Sequence, residues 1–331
     1  VKARFVVGGR RLGRMSTGLI YADRFLDHDT GAGHPERPAR LTAMVDRIRA
    51  DGLWDRLAHL GFEPASRERL QRLHDARYVR RAFEVCAEGQ PFLDVADSRV
   101  GSDSAEIAAL AAGGVLAAVD AVISGAVDNA FCAVRPPGHH AEADRSMGFC
   151  LFANAALAAE AAIADHGLER VAVVDFDVHH GNGTQHLMED RADVLFVSVH
   201  QDPDGCYPGT GYADETGVGD GEGFTLNLPL PAGSGDAAYA AVFADQVIPR
   251  LDAFAPRLLV VSAGFDAAAA DPLAQMNVST AGFAAMTESL LAVAQRHAGG
   301  RLVSVLEGGY DLDALADAAA AHVGALLAAE R

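Results

Sequence analysis

The chain has 331 residues, half of them apolar, and carries 27 Lys and Arg against 45 Asp and Glu, a formal net charge of −18. That length allows one large α/β domain or two modest ones with a sizeable core, and the acidic balance argues against a phosphate-binding, nucleic-acid-facing surface. No uninterrupted apolar run of about 18 residues suggests a membrane span, and the scattered Cys86, Cys132, Cys150 and Cys206 offer neither a disulfide framework nor a cysteine metal site, so a reducing cytoplasm is the expected setting.

Residues 1–14, VKARFVVGGRRLGR, are basic and stand before Met15, which reads as a natural start; they are expected to be an extension, with 15–331 as one domain. Gly18 to Tyr21 reads as a short strand. HPERPARL, His34 to Leu41, is a proline-set turn into a helix from Ala39 to Asp51. Its cluster of His34, Glu36, Arg37 and Arg40 reads as a helix start with surface ion pairs. Apolar spacing makes Arg67 to Arg81 helical, with His74 packing or supporting other groups rather than binding an ion. Gln90 to Ser104, rich in Asp and Ser, is a loop before a long alanine-rich helix reaching Ser124.

Phe131 to Val134 is a buried strand, followed at once by RPPGHH, whose prolines and glycine fix a loop that delivers His139 and His140 to a strand's C-terminal end. Gly148 and Phe149 come next, then a helix from Asn154 to Asp165. The stretch VAVVDFDVHHGNGTQ, Val171 to Gln185, begins as a strand buried on both faces and then turns polar. Asp177 and His179 lie two positions apart in an extended segment, so both project to one side as half of a metal site. Asp175 sits one step deeper, where it supports its neighbours.

Val194 to Val199 is another buried strand and includes Ser198. The following segment 202–223 is too long for a connector and forms a wall of the site or an oligomer contact. Leu258 to Ser262 leads into SAGFD, which puts Asp266 beyond a third buried strand as the missing ligand. Arg301 to Leu306 ends in EGGY, with Glu307 and Tyr310. Strands alternating with helices give a single parallel α/β sheet covered on both faces, and ligands of such sheets bind outside the strands' carboxyl ends.

Two carboxylates and an imidazole leave Zn²⁺ an open position for water and a carbonyl oxygen. Two further imidazoles beside that water are candidates for general base and acid, and Tyr310 on a glycine-flexed loop can donate to a developing oxyanion. The ensemble describes hydrolysis of an amide.

RPPGHHAE, GFCLF, DFDVHHGNGTQ, SAGFDA with DPL after it, and LEGGY together resemble the signature segments of the histone deacetylase and acetylpolyamine amidohydrolase family. The chain is most similar to the class II branch and its bacterial histone deacetylase-like amidohydrolases, from Gly18 to the C-terminus. The resemblance implies an arginase/deacetylase-like sheet of about eight parallel strands. It implies one catalytic Zn²⁺ on Asp177, His179 and Asp266, with the tandem His139 and His140 partnered by Asp175 and Asn182, and Tyr310 as the catalytic tyrosine. It further implies a structural K⁺ or Na⁺ held by Asp175, Asp177, His179, Ser198 and Val199, and a channel between Phe149 and Tyr207 lined by the backbone of Gly148. Arg40 would lie near an inner cavity.

A carboxylate beside His139 favours its imidazolium form, whereas a neutral amide gives His140 no such bias, so His140 is the expected base and His139 an orienting group. Tyr310, where some class II relatives carry His, implies a competent deacetylase. Leu273 stands where polyamine-selective relatives place Glu, so the resemblance leans toward N-ε-acetyl-lysine in peptides or proteins, with acetylpolyamines as the alternative. Asp94, Asp97 or Asp103 could still meet a cation. The rivals are an arginase-like binuclear manganese hydrolase, which Ala267 and Ala268 after Asp266 disfavour, and a non-catalytic acyl-lysine binding module. No nucleic-acid or membrane partner is expected, and a homo-oligomer is left open.

Overall fold

The buried apolar runs become the strands of one sheet. In the computed structural model, which describes residues 16–329, eight strands all pair in parallel among the described residues. They are β1 (Thr17–Ile20), β2 (Ala58–His59), β3 (Asn129–Cys132), β4 (Val171–Asp175), β5 (Val194–Gln201), β6 (Thr225–Leu230), β7 (Leu258–Ala263) and β8 (Leu302–Leu306). The sheet order is β2-β1-β3-β8-β7-β4-β5-β6. Every residue of β3, β4, β5, β7 and β8 is buried, as near-continuous apolar runs demand when helices cover both faces. The expected extension 1–14 lies outside the described residues.

The helices that cover the sheet are α1 (Pro38–Ala50), α2 (Arg67–Leu70), α3 (Ala76–Ala87), α4 (Ser104–Ile123), α5 (Asn154–Ala164), α6 (Asn182–Met188), α7 (Asp236–Val242), α8 (Ile248–Phe254), α9 (Thr280–His297) and α10 (Leu312–Ala328). One group packs α4 against α5, and another packs α10 against α1 and α9. By length and composition α4 could cross a membrane, but most of it is buried inside the fold, where its alanines and paired glycines let it lie close to the sheet and its neighbours.

Three features differ from the sequence reading or are absent from it. The single helix over Arg67 to Arg81 is two, because the segment between them bonds elsewhere: the Asp75 amide donates to Ala143 O at 2.7 Å, and His74 sits between Glu142 O and the Ala153 amide. Strands β2 and β6 at the two sheet edges lack a clear signal; Pro229 inside β6 argues against a strand, and the sheet edge is where proline is tolerated. The third change concerns charge. Glu36 and Arg40 are not surface groups but fully buried.

Arg135, the first residue of RPPGHH, comes up beneath Glu36 and binds both carboxylate oxygens, with Arg135 Nη2 donating to Glu36 Oε2 at 2.8 Å. Arg40 donates to Glu36 Oε1 at 3.0 Å and to the carbonyls of Glu307 at 2.6 Å and Gly309 at 2.5 Å. One carboxylate between two guanidiniums satisfies charges that burial would otherwise make costly. The trio ties the start of α1 to the loops after β3 and β8, and so positions what those loops carry.

Candidate active site

Five adjacent strands, β3, β8, β7, β4 and β5, supply the site from the loops at their carboxyl ends. The loop after β3 brings His139 and His140, that after β8 Tyr310, that after β7 Asp266, that after β4 Asp177 and His179, and that after β5 Tyr207. Residues far apart in sequence meet because their strands are neighbours.

Asp177, His179 and Asp266 offer ligand atoms that lie within 4.8 Å of one another, all buried. His179 Nδ1 is 3.1 Å from both Asp177 Oδ1 and Asp266 Oδ2. Ligand atoms about 2.0–2.1 Å from a tetrahedral zinc stand roughly 3.3 Å apart, so the spacing and the donor set fit such an ion. The remaining carboxylate oxygens are held by backbone: Asp177 Oδ2 accepts from the Gly308 amide at 2.8 Å, and Asp266 Oδ1 from the Val178 amide at 2.9 Å. Gly308 is required here, since any Cβ would strike both carboxylates.

The two tandem histidines stand beside this group. His139 Nδ1 donates to Asp175 Oδ2 at 3.0 Å, and His140 Nδ1 donates to Asn182 Oδ1 at 2.7 Å. Burial disfavours the imidazolium of both. At His139 the charges of Asp177 and Asp175 overcome it and raise the pKa to about 10, whereas at His140 burial and the neighbouring His139 and His179 push it well below the ordinary value. Asp175 pairs in register with Ser198 of β5, with Val199 next along that strand.

A cavity of about 220 Å³ opens over these groups, lined by His140, Gly148, Phe149, His179, Tyr207, Leu273 and Tyr310, with Asp97 also on its wall. Phe149 is held at φ 68, a left-handed conformation that bulky residues avoid, and its ring meets Tyr310 edge-on at 5.7 Å. Tyr207 faces the His140 ring at 5.1 Å. A larger cavity of about 350 Å³ lies between α9 and α10, but its walls are mostly alanine and leucine and it lacks convergent chemistry. Asp94 and Asp103 are occupied by Arg81 and Arg24.

Two supporting carboxylates carry roles that the sequence does not assign. Glu307 Oε2 accepts the Gly138 and His139 amides at 2.7 and 3.2 Å, which fixes the histidine loop. Asp271 Oδ2 accepts the Tyr310 amide at 2.6 Å while its Oδ1 accepts the Leu273 amide at 3.0 Å, tying the tyrosine to the opposite wall. Carboxylates that bind backbone carry no sequence signal of their partner. His139, Cys150 and Glu307 also approach one another, but Glu307 is committed to amides and burial keeps the Cys150 thiol protonated toward the Gly148 carbonyl.

Comparison with known proteins agrees with this geometry. The histone deacetylase domain family matches residues 34–326. The chain is 49% identical over 280 residues to a histone deacetylase-like amidohydrolase of Pseudomonas aeruginosa, covering 84% of this chain and 73% of that protein. It is 42% identical over 327 residues to the human polyamine deacetylase HDAC10, covering 95% of this chain but only 48% of that longer protein. The crystal structure of the HDA15 HD domain superposes with a TM-score of 0.89 at 38% identity, covering 95% of this chain and 88% of that one. This chain therefore belongs to the histone deacetylase family, and it is a hydrolytic deacetylase.

Proposed function

We propose that the protein hydrolyses the acetyl amide of N-ε-acetyl-lysine in peptides or proteins with one Zn²⁺ on Asp177, His179 and Asp266. The observation that carries this reading is the cavity of about 220 Å³ lined by the ligand His179 together with His140, Phe149, Tyr207 and Tyr310. Such a cavity suits a slim alkyl stem that carries an acyl group to its floor. When bound, the zinc ion would supply Lewis acidity, polarising the amide carbonyl and acidifying the attacking water.

The chain's own groups do the rest. Because an amide oxygen only accepts, Asn182 Oδ1 keeps a hydrogen on His140 Nδ1, which leaves Nε2 with a lone pair. Nε2 takes the proton of the attacking water as its oxygen bonds to the carbonyl carbon, and returns it to the amine nitrogen as the C–N bond breaks, giving acetic acid and a primary amine, which ionise in water to acetate and an ammonium. His139, paired with Asp175, orients and contributes positive charge without moving a proton. The Tyr310 hydroxyl donates to the oxyanion. Burial holds the Tyr310 pKa well above its ordinary value, so it keeps its hydrogen. A K⁺ or Na⁺ beside Asp175 and Ser198 belongs to the same reading, supported by their register across β4 and β5.

A second reading, acetylpolyamine hydrolysis, is favoured by Asp97 on the cavity wall, where a carboxylate could meet an ammonium, and by the similarity to the human polyamine deacetylase. Leu273, 39% exposed at the same mouth, supplies no charge and favours the peptide. The zinc-loaded protein is tested on an acetyl-lysine peptide and on acetylated putrescine and spermidine, with Tyr310→Phe as control. Faster peptide hydrolysis that the variant loses supports the first reading. Faster polyamine hydrolysis selects the second, and no hydrolysis of any substrate refutes both.

A further inference from the structure

The proposed mechanism depends on one tautomer of His140, and the role assigned below to Glu142 rests on that reading. The tautomer is set by which end of the Asn182 amide faces Nδ1, and turning that amide over changes its shape very little. Turned over, Asn182 would present N–H to Nδ1, the imidazole hydrogen would move to Nε2, and the lone pair needed for catalysis would be lost. Some group must hold the amide in place.

Asn182 Nδ2 donates to Glu142 Oε1 at 2.7 Å; its other neighbour is the Met147 sulfur at 3.3 Å. An ionised carboxylate offers acceptors only, so beside Glu142 the nitrogen end of Asn182 is selected and the oxygen end is left for His140. Glu142 is in turn held by His186, whose Nδ1 donates to Oε2 at 2.7 Å, and by Arg145 at 3.4 Å. Asn182 and His186 both lie on α6, one turn apart, so the two groups that grip Glu142 share a rigid element. A chain of polar contacts thus runs from the partly exposed His186 through Glu142 and Asn182 to His140.

We propose that Glu142, gripped by His186, is a positioning residue that fixes the orientation of the Asn182 amide and thereby keeps the hydrogen of His140 on Nδ1. It touches neither substrate nor metal ligands; it acts through Asn182.

The test is the Glu142→Gln variant, isosteric but able to donate as well as accept, read by imidazole ¹⁵N chemical shifts of His140 alongside kcat and KM. The wild type shows hydrogen on Nδ1. E142Q shows loss of that signal toward a mixture or the Nε2–H form, with kcat falling about 10-fold or more and KM changing less than about twofold, the split expected when the chemical step alone suffers. The double variant E142Q/N182D restores hydrogen on Nδ1, because a carboxylate at position 182 accepts from the new side-chain amide at position 142 and from His140 together. His186→Leu, which loosens Glu142 without removing it, gives a smaller change in the same direction. An unchanged tautomer signal in E142Q overturns the proposal, as does a double variant that folds but does not regain the Nδ1–H form. If the wild type hydrolysed no acetylated amine, the proposed function would fail while the ¹⁵N spectra still decided this point.

Discussion

His139 and His140 are adjacent in the chain, with ring centroids 4.0 Å apart, yet they face different chemistry. His139 looks onto a wall of buried carboxylates, Asp175 at 3.0 Å and Asp177 at 3.8 Å. His140 looks onto the neutral amide of Asn182, backed by Glu142. Burial disfavours the charged form of both, so the partner decides: one imidazole is held charged and the other neutral. The pair illustrates how residue type alone underdetermines role, and how a carboxylate acting through an intervening amide differs from one in direct contact with a histidine.

The most forceful way to break this contrast is to remove each ring in turn. His140→Ala should lower kcat by about 10³-fold or more, and His139→Ala by only about 10- to 100-fold, measured on an acetyl-lysine peptide. Tyr310→Phe removes a donor that neither histidine replaces, and should lower kcat about 100-fold or more with little effect on folding. Glu36→Gln leaves Arg40 and Arg135 buried without their shared carboxylate; denaturant unfolding should report a loss of about 3–5 kcal/mol.

The smallest and broadest effect extends the His140 case to the rest of the molecule. Burial lowers the pKa of His28, His74 and His200 to about 4 and that of His322 to about 3. These groups bind protons more readily unfolded than folded, so their contribution to stability is complete above about pH 6.5 and is lost as pH falls from there toward 4. Thermal melts should show the midpoint dropping steadily across that window, and a midpoint flat from pH 7 to 4 would contradict the assignment of these four as buried and neutral.

Much of this is readable from residues. The runs VAVVD, LLVVS and LVSVL announce doubly buried strands because parallel sheets leave no polar face, and the polar residues just after each run mark the reactive edge. Asp177 and His179 are legible as an Asp-x-His pair just beyond a buried strand, although the chain bends there instead of continuing extended, and His139 and His140 are legible from their proline-fixed loop. Buried Glu36 and Arg40 are not, since a charged helix start looks the same in sequence whether water or Arg135 answers it. Nor is Asp271, whose partner is the backbone of Tyr310, nor Glu142, whose use depends on α6 carrying Asn182 and His186 past it. Tertiary partners, not residue types, decide those cases.

We propose that Asp177, His179 and Asp266 hold one catalytic zinc with His140 as the base. That is tested most directly by chelating the purified protein, reloading it with measured equivalents of Zn²⁺, and following acetyl-lysine peptide hydrolysis by wild type, H139A and H140A together. A single zinc with His140 as the base gives activity that saturates at one equivalent, persists at reduced level in H139A, and all but vanishes in H140A while that variant still binds one zinc. Saturation at two equivalents, or an H140A variant more active than H139A, would contradict it.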